Sequence, residues 1–205
     1  MRIPMSFEHY QRIPRHPDWR WEYGDGALLL SYRPRTIQLV RDVRAPVPPR
    51  GPATARLLDL ERDDARLREF LRDVWSGENP YRSFDAPTEW VSSHLTASLA
   101  RLTEPSGAIA EEDGRVIGAV LLERPYDDTG APMLSWLSVR WGHRCDGVGS
   151  ALLAAIVEAL DRAGVPQLAS AVSPGNIASL HWHWRNGFQA RPDRTAAWGP
   201  AARRR

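Results

Sequence analysis

The feature that most constrains the fold is a glycine-rich loop between an apolar run and a helical pattern. The run Met133 to Val139 is followed by Arg144-Cys145-Asp146-Gly147-Val148-Gly149, after which apolar residues recur at helical spacing. A strand, a loop and a helix start in this order collect unpaired backbone amides and the positive end of a helix dipole at one point. Glycine lets the backbone approach an anion closely. The stretch predicts a pyrophosphate cradle, with a tight packing turn as the alternative.

This loop differs from two common nucleotide-binding motifs. It lacks the Lys-Ser/Thr ending of a Walker P-loop, and it lacks the first glycine spacing of a dinucleotide fingerprint in an N-terminal βαβ unit. The loop by itself therefore does not identify the ligand.

Hydrophobic patterning predicts one α/β (α+β) domain over residues 53–200, with a mixed central sheet flanked by helices. The Asp113-Gly114 pair predicts a hairpin between two apolar runs. Asp63 or Asp64 is expected to cap the first helix of the domain. The expected order is β-α-α-β-β-β-α-β-α, with strands at 55–60, 107–110, 116–122, 133–139 and 165–172 and helices near 64–75, 87–102, 149–163 and 177–186.

Residues 1–52 are expected to form an accessory region. Alternating residues on both sides of Gly24-Asp25-Gly26 predict a β-hairpin, to which residues 37–40 could add a third strand. The proline-rich stretch 45–52 reads as a linker, and residues 201–205 as a solvated basic tail. Because a hairpin is marginal alone, it must dock on the main domain or on a second subunit, so a homodimer is possible.

Composition excludes several classes of function. Net charge is only +2, and the 27 basic residues, all arginine, are interleaved with acidic ones. No basic stripe indicates a nucleic-acid partner. The single cysteine excludes an intrachain disulfide and a multi-cysteine zinc site, and no metal site is expected. No apolar run suits a membrane span or a signal peptide, so we expect a soluble cytoplasmic protein.

A second motif lies downstream of the loop. Ala171-Val172-Ser173-Pro174-Gly175-Asn176 precedes a helix that ends in Arg185-Asn186-Gly187-Phe188. Together with Arg144 to Gly149, which fits Arg/Gln-x-x-Gly-x-Gly/Ala position by position, this resembles the Gcn5-related N-acetyltransferase (GNAT) superfamily. The resemblance covers residues ~53 to ~195; residues 1–50 lie outside the common core.

The resemblance implies direct transfer of an acetyl group from acetyl-CoA to a primary amine of a small molecule or peptide. It also implies a set of cosubstrate-binding residues: Leu137, Ser138, Val139, Arg144, Cys145, Asp146, Gly147, Val148, Gly149, Ser150 and Asn176. The same resemblance implies that the Val139 amide polarises the thioester carbonyl. The alternative is a CoA-binding regulatory or structural module on the same fold, without catalysis.

Acid and base roles are less well marked. Seven residues after Asn176, where many relatives carry tyrosine, stands His183, the candidate general acid; packing is its alternative role. His181 lies on another helical face. The position used by some relatives for a base is Met133, which leaves Glu123, Asp127, Asp128 or water. Cys145 is expected to be a small loop residue rather than a nucleophile.

Overall fold

The computed structural model describes residues 2–12, 19–32, 37–48, 51–76, 88–125, 130–173 and 176–191. Two sheets organise this part of the chain. The smaller has the order β1-β3-β2, with β1 at Arg2–Pro4, β2 at Trp19–Gly24 and β3 at Ala27–Tyr32. The larger has seven strands in the order β10-β4-β9-β8-β7-β6-β5. Its strands are β4 (Ile37–Asp42), β5 (Arg56–Leu57), β6 (Leu102–Glu112), β7 (Arg115–Glu123), β8 (Met133–Val139), β9 (Gln167–Val172) and β10 (Gln189–Ala190).

The large sheet is mixed, as the sequence predicts. Its neighbouring strands are antiparallel except β8 and β9, which run parallel. A parallel pair needs a crossover, and helix α4 (Val148–Arg162) makes it. The glycine-rich loop therefore lies at the carboxyl end of β8, where the crossover begins.

Helices cover both faces of this sheet. On one face, α2 (Leu60–Ser76) and α3 (Thr88–Leu99) pack with Ile109, Val116 and Leu121. On the other face, α4 and α5 (Ile177–Arg185) share a core with alternate residues of the same strands, including Ala110 and Val120. This alternation follows from the period-2 geometry of a strand, and it gives the predicted α/β (α+β) domain. Helix α1 (Phe7–Arg12) belongs to the N-terminal region.

Both predicted hairpins form. Asp25 and Gly26 join β2 to β3, and Asp113 and Gly114 join β6 to β7. All four have positive φ, from +49° to +75°. Two successive left-handed residues match the twist of the flanking strands, which is why Asp-Gly pairs predict such turns well.

The strand predicted at residues 37–40 forms, but not as a third strand of the N-terminal hairpin. As β4 it pairs with β9 over Ile37 to Asp42 and with β10 at Val40 and Leu39. The hairpin's third strand is instead β1. A polar–apolar alternation indicates a strand but contains no information on its partner, so the sequence could not distinguish these pairings.

Helix boundaries differ at α2. The predicted strand 55–60 is only Arg56–Leu57, and the helix begins at Leu60 rather than after Asp63 or Asp64. Asp59 occupies the capping position, since its Oδ1 accepts a hydrogen bond from the Glu61 amide at 3.1 Å. Asp63 is fully buried in the first turn, where it pairs with arginines. No helix in the described ranges is long and apolar enough to cross a membrane.

Candidate functional site

The candidate site is built around the place where β8 and β9 separate. The two strands pair only at Met133–Ala169 and Leu134–Ser170. Beyond Leu134, β8 continues to Val139 along β7, and no further pairing with β9 occurs in the described residues. The edge of β8 that carries Leu137 to Val139 therefore presents backbone hydrogen-bonding groups to a wedge that a ligand can enter.

A β-bulge in β8 changes the direction of this edge. Ser135 lies opposite Leu121 and Ser138 opposite Ala119, so Trp136 and Leu137 together face one residue of β7. Trp136 has φ +50°, and its Nε1 donates to Ser98 Oγ at 2.7 Å. Bulges bend a strand and increase its twist, which fits the divergence of β8 from β9.

The side chain of Ser138 points to the face of the sheet that α2 covers. Trp75 Nε1 donates to its Oγ at 3.0 Å, and the residue is buried. The ring of Trp75 also meets that of Trp136 edge-on at 5.3 Å. Ser138 is also paired with Ala119 of β7, so its backbone groups are directed to that strand and not to the wedge.

The Val139 amide faces the wedge. The next amide, that of Arg140, donates to Ile117 O of β7 at 2.8 Å. Because successive residues of an extended strand direct their amides to opposite edges, the amide of Val139 points away from β7. Its carbonyl accepts from Arg144 Nε at 3.3 Å, which ties the loop back to the strand.

The loop after β8 ends in an open helix N-terminus. Cys145 has φ +70°, and Gly147, the N-cap of α4, is left-handed at φ +86°. The first backbone bond of α4 runs from the Ala151 amide to Gly147 O. Within the described chain, the amides of residues 145–150 donate no hydrogen bond of good geometry. These unpaired amides and the helix dipole suit an anion.

Arg144 stands exposed beside this helix start. Its guanidinium carbon lies 4.8 Å from the centroid of the Trp141 ring. No carboxylate of the described residues forms an ion pair with it. A guanidinium held by stacking and by one backbone carbonyl keeps donors for a phosphate.

Gly149 and Ser150 have packing roles that the sequence motif does not reveal. A Cβ on Gly149 would lie 2.9 Å from Trp182 Nε1, so glycine allows α4 to approach α5. That indole nitrogen is buried without an acceptor in the described structure. Ser150 is buried, and its Oγ donates to Asn186 Oδ1 at 3.3 Å.

His183 lies behind the point where β8 and β9 separate. Its Nδ1 is 2.7 Å from Ser179 O, so Nδ1 carries the hydrogen, and Nε2 accepts from Ser170 Oγ at 2.8 Å. The side chain is buried between the rings of Trp182 and Phe188. Burial lowers the pKa of His183, an effect that the hydrogen bond to Ser179 O partly opposes. Sequence reasoning missed Ser170, which no motif marks.

The other predicted residues are more dispersed. Asn176 caps α5, because its Oδ1 accepts from the Ser179 amide at 3.1 Å. His181 is exposed. Glu123 is buried beside Met133 at the end of β7, with Arg101 Nε 3.6 Å from its Oε2. Asp127 and Asp128 lie outside the described residues. No cluster of potential metal ligands occurs in the described ranges.

Comparisons with known proteins find a matching family model. The family model described as Acetyltransferase (GNAT) family matches residues 65–188, more than half of the chain. A search of curated proteins finds no match.

Solved structures show the same fold. A GCN5-related N-acetyltransferase from Sphaerobacter thermophilus is 21% identical, with a TM-score of 0.56 over 78% of this chain and 50% of its own. An acetyltransferase of the GNAT family from Colwellia psychrerythraea is 10% identical, with a TM-score of 0.54 over 77% and 53%. The chain thus spans about half the length of these two structures.

Proposed function

The chain belongs to the acetyltransferase (GNAT) family, and on this premise we propose that it transfers an acetyl group from acetyl-CoA to a primary amine of a small molecule or peptide. The observation that supports this most directly is that two unpaired backbone surfaces follow each other along the chain. The open edge of β8 ends at Val139, and the turn and loop of residues 140–147 connect it to the open N-terminus of α4. An extended ligand with a phosphate group at one end suits both.

The described residues fit such a ligand. The open edge of β8 at Leu137 and Val139 would hold the pantetheine arm. The amides of residues 145–150 and the guanidinium of Arg144 would hold the pyrophosphate, with Asn176 beside the arm. Acetyl-CoA supplies the activated acyl group, and the protein supplies position and charge stabilisation.

The Val139 amide is the proposed donor to the thioester oxygen. A backbone N–H held by a strand is fixed before the reaction and costs no reorganisation when negative charge develops. This assignment is made for the main chain, so substitution of the side chain alone leaves the donor in place.

We propose His183 as the group that serves the proton balance. One proton must leave the attacking amine and one must reach the departing thiolate. In the tautomer that these hydrogen bonds imply, Nε2 is unprotonated, and it can take up the proton of the amine and return a proton to the thiolate, with the Ser170 hydroxyl as its hydrogen-bond partner. Burial lowers the pKa of His183, which keeps Nε2 unprotonated before the reaction and makes the protonated ring a ready donor to the thiolate afterwards.

Calorimetry with acetyl-CoA and a thiol-release assay over an amine panel test the proposal. We expect binding, and release of CoA with at least one amine. Binding without turnover would favour the alternative, a CoA-binding module. Absence of binding would overturn the proposed function.

The role of His183 has its own test. In His183→Phe we expect kcat to fall while the affinity for acetyl-CoA holds. His181→Phe, an exposed residue of the same helix, is the control. An unchanged kcat in His183→Phe would remove the residue from the mechanism.

A further inference from the structure

The segment before the family match is part of the domain. The match begins at residue 65, yet β4 lies between β9 and β10 in the large sheet. The chain then crosses from β4 to β5 at the opposite edge. Val43 and Val47 pack on the core that α4 forms, and the path continues through Gly51, Ala53 and Ala55. Residues 37–48 and 51–57 are named here the N-terminal strap.

Arg41 connects the strap to the glycine-rich loop. It is 1% exposed, and its Nε donates to Asn186 O at 2.8 Å. Its other donors bind the carbonyls of Asp42, Val43 and Ala45. Asn186 is the C-cap of α5, so the cation also meets the negative end of that helix.

The side chain of Asn186 connects α5 to α4 by hydrogen bonds. Its Nδ2 donates to Trp182 O at 2.8 Å, and its Oδ1 accepts from Ser150 Oγ at 3.3 Å. Ser150 is the last residue of the proposed pyrophosphate loop. A buried chain of hydrogen bonds therefore runs from Arg41 through Asn186 to Ser150, and each member is at most 4% exposed.

Gly51 makes a second, independent contact with the loop. It has φ +94°, and a Cβ there would lie 2.5 Å from Asp146 O and 3.8 Å from Gly147 Cα. The first distance is shorter than a Cβ can tolerate, and its partner is backbone. Any larger residue at position 51 must therefore displace the loop or the strap.

We infer that Arg41 and Gly51 are positioning residues of the acetyl-CoA loop, although both lie outside the matched family residues. The inference rests on the proposed function for the identity of the ligand. Arg41 fixes the first turn of α4 through its hydrogen-bonded chain to Ser150. Gly51 fixes the direction of the Asp146 carbonyl by its close approach. The strap is thus a structural part of the cosubstrate site.

The test compares two pairs of variants. Gly51→Ala is matched by Gly114→Ala, since Gly114 also has positive φ (+75°) but open space around a Cβ. Arg41→Met is matched by Arg66→Met, which also loses carboxylate and carbonyl partners but lies on α2, outside the strap. Each is studied in the full chain, at temperatures where it is folded.

Three readouts are used for every variant. Calorimetry gives Kd for acetyl-CoA, and the melting temperature reports general stability. Cys145, the only cysteine of the chain, is exposed within the loop, so its rate of reaction with a thiol reagent reports loop geometry without any ligand. Acetyl-CoA itself carries no free thiol to interfere.

We expect Gly51→Ala and Arg41→Met to raise Kd about tenfold and to change the Cys145 rate, since small misplacements of binding groups are costly. The controls should lose stability and keep both values near those of the wild type. Equal Kd and equal Cys145 rates in a variant and its control would overturn the inference. If the wild-type chain does not bind acetyl-CoA, the proposed function fails, and the Cys145 rates alone decide whether the strap positions the loop.

Discussion

Two helices of this protein begin near charged residues, but only one of them has partners for its first amides. At α2, side chains of the protein do so. The Asp59 carboxylate accepts from the Glu61 amide, and the Asp63 carboxylate accepts from the Asp59 amide at 3.1 Å. At α4, the amides of residues 145–150 find no such acceptor in the described structure.

The buried carboxylate at α2 is balanced by arginines. Arg56 Nη1 lies 2.6 Å from Asp63 Oδ2, and Arg62 and Arg66 lie 3.3 and 3.7 Å from Oδ1. Arg56 holds the pKa of Asp63 well below its usual range, although burial opposes the shift. The pKa of Arg56 is raised in turn by the hydrogen bonds with Asp63.

The difference separates a structural helix start from one available to a ligand. A carboxylate of the protein occupies the anion position at α2, so that position is closed. At α4 the equivalent position has glycine, and no acidic side chain of the described residues accepts a hydrogen bond from the amides, so an external anion suits it. Charge near a helix N-terminus is therefore a poor sign of a binding site unless the amides are also unpaired.

Gly147→Glu should close α4 in the way that α2 is closed. A carboxylate about 4 Å from a bound phosphate near the surface adds roughly 4 kcal/mol of repulsion, close to 1,000-fold in Kd for acetyl-CoA. Calorimetry measures the loss. Gly114→Glu, also at positive φ but in the β6–β7 turn, controls for backbone strain. Wild-type affinity in Gly147→Glu would show that this loop is not the site.

Asp63→Asn should break the ion pairs at α2 and lower the free energy of unfolding without changing the Kd for acetyl-CoA. Breaking a buried pair costs about 3 kcal/mol, toward the low end because Arg56 is 34% exposed. Urea unfolding measures this change in the free energy of unfolding. Asp64→Asn, which removes a surface pair with Arg68, should cost under about 0.5 kcal/mol. An acetyl-CoA Kd that shifts with Asp63→Asn would contradict the separation of the two helix starts.

The loss of stability at acid pH should reveal the contribution of Asp63 at the start of α2. The folded-state pKa of Asp63 is lowered, so its contribution is present above the unfolded pKa near 4 and is lost as pH falls below it. Between pH 5 and pH 3 the wild type should lose about 1 kcal/mol more than Asp63→Asn does. Urea titrations at the two pH values measure this. Parallel loss in both proteins would mean that Asp63 does not titrate differently on folding.

Local sequence signals predicted much of the fold. The two Asp-Gly hairpins form because their turns need only residues that tolerate positive φ. The glycine-rich loop precedes a helix, as its spacing indicates. These features depend on neighbours in sequence, so the sequence contains what is needed to predict them.

Contacts between distant segments were not predictable in the same way. Asp59 rather than Asp63 has the capping role, because Arg56 binds the Asp63 carboxylate and holds it in the interior. His183 was chosen by its position after Asn176, but nothing in the sequence shows that Ser170 would hold its Nε2. The pairing of β4 with β9 and β10 joins residues that are more than a hundred positions apart.

The sequence by itself determined the strand, glycine-rich loop and helix of the proposed anion cradle, because unpaired amides at a helix start follow from local backbone geometry. It also determined the family resemblance, through two motifs in order. Only the tertiary structure decided which side chains support the cradle. Arg41 and Gly51 reach it from the N-terminal strap, and that proximity comes from packing and strand pairing across the sheet, which a linear pattern does not specify.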